Sequence, residues 1–244
     1  MAMALYREQG IVLRTYKLGE TDRIVHLCTQ GRGKVRAVAK GARRPGSRFG
    51  GRLEPFSHVD LQLYEGRELD IVTQAELITP FATIREDYVR LACGSTMVEA
   101  ADHLAQPDER SIALFLLLLD GLRTLVRDPR HPTLVLDAYL LRLVAVAGYQ
   151  PTLDGCASCG LPGMHLVFSI AAGGALCAGC ASQDAMPLDP EARALLGVLM
   201  STSWTELIQA EVASRARRIA GAVIYSFLTY HFGRPLRAWD FVPR

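Results

Sequence analysis

Four of the six cysteines fall into two pairs of the form Cys-x-x-Cys, a spacing with which proteins commonly hold a metal ion. Seventeen residues separate the pairs, which is within the usual range for a zinc ribbon or knuckle. Each pair can form a tight turn whose amides point at the thiolates, and two such turns complete a tetrahedral site. Four sulfur ligands leave no open position, so the ion would be structural. The predicted ligands are Cys156, Cys159, Cys177 and Cys180.

Disulfide bonds and chance are the alternative explanations of these cysteines. The N-terminal sequence MAMALYREQG lacks the apolar core of a signal peptide, and the longest strongly apolar run, residues 112–119, is too short to cross a bilayer. We therefore expect a cytoplasmic protein without membrane contact, where thiols stay reduced and bind metal rather than each other. His165 is a further candidate ligand, whereas Cys28 and Cys93 are predicted to be ordinary core residues.

Residues 31–52 form the most basic part of the chain, with eight Lys or Arg, six Gly and no acidic residue. Lys34, Arg36 and Lys40 share one strand parity, and small apolar residues share the other. Beyond Gly41 the charge continues in an irregular loop. Arginine binds phosphate through paired hydrogen bonds, and counterion release drives such association. The segment therefore predicts a nucleic-acid contact, with a solvated, flexible basic loop as the alternative.

The net charge of +2 conceals an asymmetry along the chain. Residues 1–54 hold 12 Lys/Arg against four Asp/Glu, whereas residues 55–244 hold 15 against 21. A basic N-terminal part is typical of a nucleic-acid-binding face. The hydrophobic content of 50% is ample for packed cores and excludes a disordered chain.

The N-terminal third is predicted to form five β-strands. Residues 58–63 alternate cleanly between polar and apolar side chains, and glycines supply turns at residues 31–33 and 65–67. Five strands with a basic insert between the third and fourth are typical of a small barrel of the oligonucleotide-binding (OB) type, although an SH3-like barrel has a similar pattern. The predicted strands lie at residues 11–18, 24–29, 34–40, 58–63 and 69–78.

From residue 83 onward the pattern changes to helices. Proline-containing polar segments at 106–108 and 128–132 separate three apolar stretches, of which the second and third are apolar almost all round. Those two are predicted to form the buried centre of a helical domain. Asp189 followed by Pro190 is a helix start. The predicted helices span residues 83–105, 111–126, 133–148 and 214–232, with another beginning at residue 190.

No residue pattern indicates catalysis. Residues 31–34 lack the spacing, the Ser or Thr and the following helix of a phosphate-binding loop. The six histidines form no helical ligand pair, and neither a Gly-x-Ser-x-Gly elbow nor an acidic metal pair is present. The sequence therefore favours a binding protein without catalytic turnover and without a small-molecule substrate.

The motifs of the basic region resemble those of the RecO family of bacterial DNA repair and recombination mediators. The similarity begins at residues 10–14 (GIVLR) and 19–23 (GETDR), is densest at residues 33–44 (GKVRAVAKGARR), and continues through residues 47–56 (SRFGGRLEPF). The cysteine quartet lies where many members of that family bind zinc. The resemblance covers nearly the whole chain, but the helical part matches mainly in order and length.

The resemblance implies an α+β multidomain protein with an N-terminal OB-fold barrel (residues 1–80), a helical domain (residues 81–150 and 185–244) and an inserted four-cysteine zinc module (residues 151–184). It implies binding and annealing of single- and double-stranded DNA in the cytoplasm, at the nucleoid during repair. It further implies loading of RecA, together with RecR, onto strands coated by single-strand binding protein, whose acidic C-terminal tail the helical domain would bind. Carried over by position, the DNA-binding residues are Lys34, Arg36, Lys40, Arg43, Arg44 and Arg48, with Arg14 and Arg52 as further candidates.

Two other functions remain open at this point. A zinc-containing adaptor without mediator activity would use the basic loop to dock on RNA or on an acidic protein surface, which competition between DNA and RNA of equal length would reveal. An enzyme such as a nuclease or ligase fragment would cleave or join labelled DNA in the presence of Mg²⁺.

Overall fold

Five N-terminal strands close into a barrel in the computed structural model of the chain, which describes residues 4–183 and 185–243. The strands are β1 (Leu5–Leu18), β2 (Asp22–Thr29), β3 (Gly33–Ala39), β4 (His58–Tyr64) and β5 (Asp70–Thr79). They pair in the order β1-β2-β3-β5-β4, and β1 closes the ring against β4. Neighbours are antiparallel except for β3 and β5, which are parallel. The prediction of an OB-type barrel is thereby confirmed.

The alternation of side chains explains why these segments form a barrel. In β3, Val35 and Ala37 are buried in the core, whereas Lys34 and Arg36 lie on the outer face. The three apolar residues of the alternating segment in β4 are likewise fully buried. Side chains alternate between the two faces of a strand. Because the apolar residues of β3 point into the barrel, its basic residues point outward.

The first strand begins six residues before its predicted start at Ile11. Residues 5–9 alternate between exposed and half-buried positions, and they pair with residues 60–64 of β4. The polar composition of residues 5–9 does not by itself predict a strand. These residues are extended because they pair with β4 and close the barrel.

Two apolar side chains anchor the long basic loop between β3 and β4. Phe49 and Leu53, the latter at the end of a 3₁₀ helix (Gly50–Leu53), are 1% and 0% exposed. Both belong to the same hydrophobic cluster as the barrel interior. The loop is therefore fixed to the barrel at this end and is not a freely solvated segment.

Two helices follow the barrel, α1 (Tyr88–Leu104) and α2 (Ile112–Val126). The first was predicted to start at Thr83, but a separate 3₁₀ turn (Ala82–Arg85) precedes it. Asp87 has an extended backbone and its side chain accepts a hydrogen bond from Arg90 N at 2.8 Å, so it caps the helix and separates it from the turn.

The barrel and these two helices lie in one compact unit, which ends at Val126; a second unit begins at Arg127. A helical domain that starts at residue 81 stays a prediction. The acidic side chains of α1 pair with Arg14 and Lys34 of the barrel, which accounts for the place of α1 in the first unit. The second helix is also less enclosed than predicted, since Leu116 is 44% exposed.

The second unit is built around α3. Every residue from Leu134 to Leu141 is buried, which confirms the predicted central position of this helix. The other three helices pack against it or against one another. The helices of this unit are α3 (Pro132–Val146), α4 (Pro190–Ser201), α5 (Trp204–Gln209) and α6 (Ser214–Phe232).

Capping residues set the starts of two of these helices. Asp189 caps α4 as predicted, and its Oδ1 accepts hydrogen bonds from the backbone of Glu191 and Ala192. The short helix α5 was not predicted. Ser203 and Glu206 form a capping box at its start, a local signature that was readable in the sequence.

A small sheet lies within the cysteine-containing segment between α3 and α4. Its strands, β6 (Val167–Ser169), β7 (Gly174–Leu176) and β8 (Met186–Pro187), pair in the order β7-β6-β8. Strands of two or three residues are too short to show a period in sequence. Among the described residues, no helix is long and apolar enough to cross a membrane.

Candidate nucleic-acid interface and metal centre

The turn between β1 and β2 holds the start of the basic loop. Asp22 Oδ1 accepts a hydrogen bond from Gly41 N at 2.8 Å, and Thr21 O accepts one from Arg43 N at 2.9 Å. The hydrogen bond from Gly41, together with one from the Thr21 hydroxyl, holds the pKa of Asp22 below its usual value. Gly41 has a φ of +69°, which glycine adopts without strain. The segment 19–23 therefore positions the loop.

The far end of the loop is held by an ion pair as well as by its apolar anchors. Arg23 of β2 lies 2.8 Å from Glu54. Phe49 and Leu53 lie in the core next to this pair. The backbone that carries the basic side chains of the loop is therefore held at its start and at its end. Fixed cations lose less conformational entropy when they bind an anion.

Four of the predicted DNA-binding side chains are exposed and available to an anion. Within residues 4–183 and 185–243, no carboxylate lies within 4.0 Å of the charged atoms of Arg36, Lys40, Arg44 or Arg48. The guanidinium of Arg48 lies 4.9 Å from the ring centre of Phe49, a cation–π contact that orients it. These four cations are the best placed to receive phosphate.

Arg43 and Arg52 are also exposed, but each donates to backbone carbonyls. Arg43 Nη1 donates to Glu20 O at 3.0 Å, and Arg52 Nη1 donates to Arg48 O at 2.6 Å. A guanidinium has five N–H donors, so both retain donors for an anion. Both therefore have a structural role in the loop, and their contact with DNA stays a prediction.

Arg14 and Lys34 pair with acidic side chains of α1. Lys34 Nζ lies 3.0 Å from Asp102 Oδ1 and also donates to the Asp102 carbonyl. Arg14 Nε lies 3.3 Å from Asp102 Oδ2, and its Nη2 lies 3.5 Å from Glu99. We expected one continuous cationic track that includes Lys34. The structure differs there, because a phosphate would have to displace a largely buried carboxylate.

The electrostatics of Asp102 favour this internal pairing. Burial of the carboxyl group raises its pKa. Hydrogen bonds from His26 and Lys34 lower the pKa, as do the positive charges of Lys34 and Arg14, and together they outweigh the effect of burial. The pKa of Asp102 consequently lies well below its usual value. The carboxylate therefore stays charged near neutral pH and, together with Glu99, keeps Arg14 and Lys34 paired.

Two clefts flank the exposed cations. One, of about 460 Å³, lies between Arg48 and Arg52 of the loop and the outer side of β5. The other, of about 390 Å³, is lined by residues that include Tyr6, Arg32 and Arg36. The Arg32 guanidinium lies 4.0 Å from the Tyr6 ring centre. Arg32 is missing from the predicted set, although its place in the basic segment was a signal for it.

The four predicted metal ligands converge on one point. Their sulfur atoms all lie within 4.8 Å of one another, and Cys159 Sγ and Cys177 Sγ are 3.8 Å apart. A tetrahedral ion with Zn–S bonds of about 2.3 Å places its sulfurs about 3.8 Å apart. The quartet therefore fits a four-coordinate metal ion.

Backbone geometry directs the sulfurs toward that point. Cys156 N donates to Leu161 O at 2.8 Å and Gly160 N donates to Cys156 O at 2.9 Å, which closes the first turn. The second pair follows β7 directly and ends in a 3₁₀ turn (Ala178–Cys180). Backbone N–H groups of Cys159 and Cys177 lower the pKa of Cys156, which favours the thiolate that a metal ion needs.

The remaining cysteines and the extra histidine lie outside this centre. Cys28 and Cys93 are 1% and 0% exposed, as predicted for core residues. Burial raises the pKa of Cys28 to about 12, which leaves it an unreactive thiol. His165 Nε2 contacts Leu161 O at 2.9 Å and does not belong to the cluster of four sulfurs.

Comparison with known proteins decides the family. The family described as recombination protein O, N terminal, matches residues 3–81, and that described as recombination protein O, C terminal, matches residues 85–240. The chain belongs to the RecO family. Curated relatives named DNA repair protein RecO include one from a Nocardioides species, 49% identical over 98% of this chain and 100% of the relative. Those from Frankia casuarinae and Streptomyces coelicolor are 47% and 44% identical, each over 99% of this chain and 100% of the relative.

Membership in the RecO family confirms the resemblance seen in the sequence motifs. The family is one of DNA repair and recombination proteins. The two family matches meet between residues 81 and 85, just after the end of β5. The individual DNA-binding residues and the identity of the metal remain predictions.

Proposed function

We propose that this RecO-family chain is a mediator of recombination that has no catalytic turnover. It binds single- and double-stranded DNA, anneals complementary strands and, with RecR, helps load RecA onto single strands coated by single-strand binding protein. The observation that carries the proposal is a set of exposed cations on the outside of an OB-type barrel, with no carboxylate of the described residues within 4.0 Å: Arg36, Lys40, Arg44 and Arg48.

The geometry supports contact with the DNA backbone rather than with base edges. Arginine and lysine side chains bind phosphate oxygens, and such contacts carry no sequence information. Few aromatic side chains are exposed on the described part of the barrel, Tyr16 at 45% and Tyr64 at 36% being the largest, so base stacking contributes less than in dedicated single-strand binders. Cations that neutralise two strands at once lower the repulsion between them, which is the physical requirement for annealing.

The cysteine centre completes the proposal as a structural zinc site. Cys156, Cys159, Cys177 and Cys180 would hold the ion, which would tie together the two turns of residues 151–184. Because all four positions are thiolates, a bound ion supplies folding free energy to this segment and no reaction. The helical part of the second unit would bind the acidic tail of single-strand binding protein.

Strand annealing tests the proposal. Complementary oligonucleotides are mixed with the wild type, with the double variant Arg36→Gln/Arg44→Gln, and with a matched control, Arg110→Gln/Arg123→Gln, which removes two exposed cations outside the basic loop. We expect the wild type and the control to accelerate annealing and the loop variant to do so at least tenfold more slowly. Equal rates for all three proteins would show that the loop is not the annealing surface.

A second arm separates mediator activity from the adaptor and enzyme alternatives. RecA filament formation on strands coated by single-strand binding protein is followed with and without RecR. We expect acceleration only when this chain and RecR are both present, and intact DNA after incubation with Mg²⁺. Preference for RNA over DNA of equal length would favour the adaptor, and cleavage that tracks with the protein would favour an enzyme.

A further inference from the structure

A cation–π pair forms part of the wall of the barrel cleft of about 390 Å³. The Arg32 guanidinium, on the turn between β2 and β3, lies 4.0 Å from the centre of the Tyr6 ring on β1. Tyr6 itself packs against the hydrophobic cluster of the barrel interior, so the guanidinium covers the outer side of the ring. The Arg32 side chain is nevertheless 39% exposed. The cleft therefore has a planar cation at its wall whose outer surface is open to a ligand.

Asp70 at the start of β5 holds the ring of this pair in place. The Tyr6 hydroxyl donates a hydrogen bond to Asp70 Oδ2, and Gly66 N donates one to Asp70 Oδ1 at 2.9 Å. Burial, together with the hydrogen bond to Asp70 and its charge, raises the pKa of Tyr6, so the hydroxyl stays protonated and remains a donor. The carboxylate thus ties Tyr6 to the turn between β4 and β5, and the ring loses little freedom when a ligand binds.

The turn that carries Arg32 is fixed as well. Arg32 N donates to Thr29 Oγ1 at 3.1 Å. Gly33 has a φ of +65°, and a Cβ atom at this position would lie 2.3 Å from Glu109 O, so the turn packs closely on the segment that follows α1. The Arg32 side chain has one loose ion pair, 3.9 Å from Glu65 and exposed on both sides, which contributes little and yields readily to a ligand.

The lining of the cleft specifies the kind of ligand. Acidic side chains at positions 65, 68, 70 and 108 lie among basic ones at positions 32, 34, 36 and 67. A phosphate group inside the cleft would meet several carboxylates and is disfavoured. A nucleobase is neutral and flat, and its edges carry both donors and acceptors, which such a mixed lining can satisfy. Nucleobases also stack on the planar guanidinium of arginine. The cleft therefore suits an unpaired nucleobase.

Arg36 connects the cleft with the proposed phosphate contacts. It is one of the four exposed cations of the barrel, and it also lines this cleft. A strand whose phosphate binds Arg36 would carry its base past the mouth of the cleft. A base of a duplex reaches the cleft only after unpairing and unstacking, which costs free energy that a single strand does not lose.

We propose that this cleft binds one unpaired nucleobase, stacked on the Arg32 guanidinium, and that it gives the barrel a preference for single-stranded over double-stranded DNA. The inference deepens the DNA binding proposed above and rests on it for the ligand. Stacking here needs no exposed aromatic ring, because the cation takes that place and Tyr6 supports it from the barrel side. All residues of the cleft belong to the first unit.

Binding to strands with and without bases tests the cleft. The probes for the full chain are a thymidine oligonucleotide, an abasic strand of equal length with the same phosphates, and a thymidine–adenosine duplex. Arg32→Lys keeps the charge but loses the plane on which a base stacks. We expect it to lower affinity for the thymidine strand about tenfold and affinity for the abasic strand by less than about twofold. The ratio of single-strand to duplex affinity should fall by about the same tenfold factor.

Two further variants on β1 control this test. Arg7→Lys is the same substitution at an exposed position outside the cleft, where Arg7 lies 3.0 Å from Asp60, and it should behave as the wild type on all three probes. Tyr6→Leu removes the ring behind the guanidinium and should reproduce the selective loss on the thymidine strand. Melting temperatures report whether each barrel stays folded, and Arg32→Lys alone decides the test if Tyr6→Leu does not fold.

The outcomes distinguish this proposal from the function on which it rests. Equal losses of Arg32→Lys on the thymidine and abasic strands would overturn the base site, because Arg32 would then act through its charge or through the fold. If Arg32→Lys changes neither affinity, the cleft is wrong as a base site while binding of the DNA backbone stands. If the wild type binds none of the three probes at low salt, the proposed DNA binding fails together with the cleft.

Discussion

Lys34 and Arg36 stand two residues apart on the outer face of β3, yet their surroundings give them different roles. Lys34 lies 3.0 Å from Asp102, and its side chain is 18% exposed. Arg36 is exposed and has no carboxylate within ion-pairing distance among the described residues. Strand parity predicted that both point outward, and it could not show that α1 would cover one of them. The same charge at two neighbouring positions of the strand therefore stabilises the fold at Lys34 and is free to bind an anion at Arg36.

Single substitutions at these two positions should separate the roles. Lys34→Met removes one partner of a half-buried ion pair and should lower the free energy of unfolding by about 1–3 kcal/mol, with little change in the DNA affinity of the folded protein. Arg36→Met should lower DNA affinity and change stability by less than about 0.5 kcal/mol. Denaturant unfolding and fluorescence anisotropy measure both quantities. A Lys34→Met protein of normal stability and weak DNA binding would contradict this assignment.

The Asp102 cluster should be visible in the pH dependence of stability. The pKa of Asp102 is depressed in the folded protein, so its ionised form stabilises the fold above the unfolded pKa of about 3.9. This stabilisation is lost as the pH falls from there toward the folded pKa. The difference in unfolding free energy between wild type and Asp102→Asn should be constant near neutral pH and shrink below about pH 4. The same difference at acidic and at neutral pH would show that the carboxylate is not paired.

At the scale of elements, the basic loop is a positioned part of the barrel. Phe49 and Leu53 fix the C-terminal end of the loop in the barrel core, and Asp22 accepts a hydrogen bond from Gly41 N at its N-terminal end. The charges of this loop and the order of strands around it were readable from composition and alternation. The anchors Phe49 and Leu53 could not be predicted from the sequence, because one Phe and one Leu among many basic and Gly residues form no periodic pattern. For the same reason the short strands β6, β7 and β8 were missed, whereas the long apolar helix α3 was predicted closely.

Loosening an anchor should weaken DNA binding although no charge is removed. Phe49→Leu leaves a small cavity and should lower the free energy of unfolding by about 1–2 kcal/mol. The basic loop would then sample more conformations and lose more entropy on binding, so DNA affinity should fall about two- to fivefold. Hydrogen exchange of the loop amides, with anisotropy on DNA, provides the measurement. Faster exchange with unchanged affinity would show that loop order does not matter for binding.

The cysteine segment should depend on its metal and be independent of the DNA face. Cys177→Ser removes one of four ligands and should abolish the zinc found in wild type at about one ion per chain. The melting temperature should fall, because the ion's binding free energy contributes to folding. DNA affinity of the remaining folded protein should be unchanged. If elemental analysis finds no zinc in wild-type protein purified without chelators, the assignment of a zinc site is wrong.

At the scale of the whole molecule, the charge asymmetry lies within the first compact unit and not between the two units. The basic excess lies in residues 1–54, which include the barrel strands β1 to β3 and most of the loop, while the rest of the chain is acidic overall. Family membership, the OB-type order of strands and this asymmetry were all indicated by the sequence. The sequence did not indicate that α1 and α2 lie in one compact unit with the barrel. This arrangement depends on ion pairs between residues about 70 to 90 positions apart, such as Lys34 and Asp102. Such long-range pairs leave no periodic trace in a single sequence.

The salt dependence of DNA binding tests most directly the claim that exposed cations of the barrel hold the DNA backbone. If about four to six phosphates are neutralised, the logarithm of affinity should fall against the logarithm of salt concentration with a slope of roughly −3 to −5. Arg36→Gln/Arg44→Gln should weaken binding to all sequences alike and make the slope shallower by roughly 1.5 units, with an unchanged circular dichroism spectrum. The control Arg110→Gln/Arg123→Gln should keep the wild-type slope. A wild-type affinity and slope in the loop variant would contradict the account and place the DNA site elsewhere.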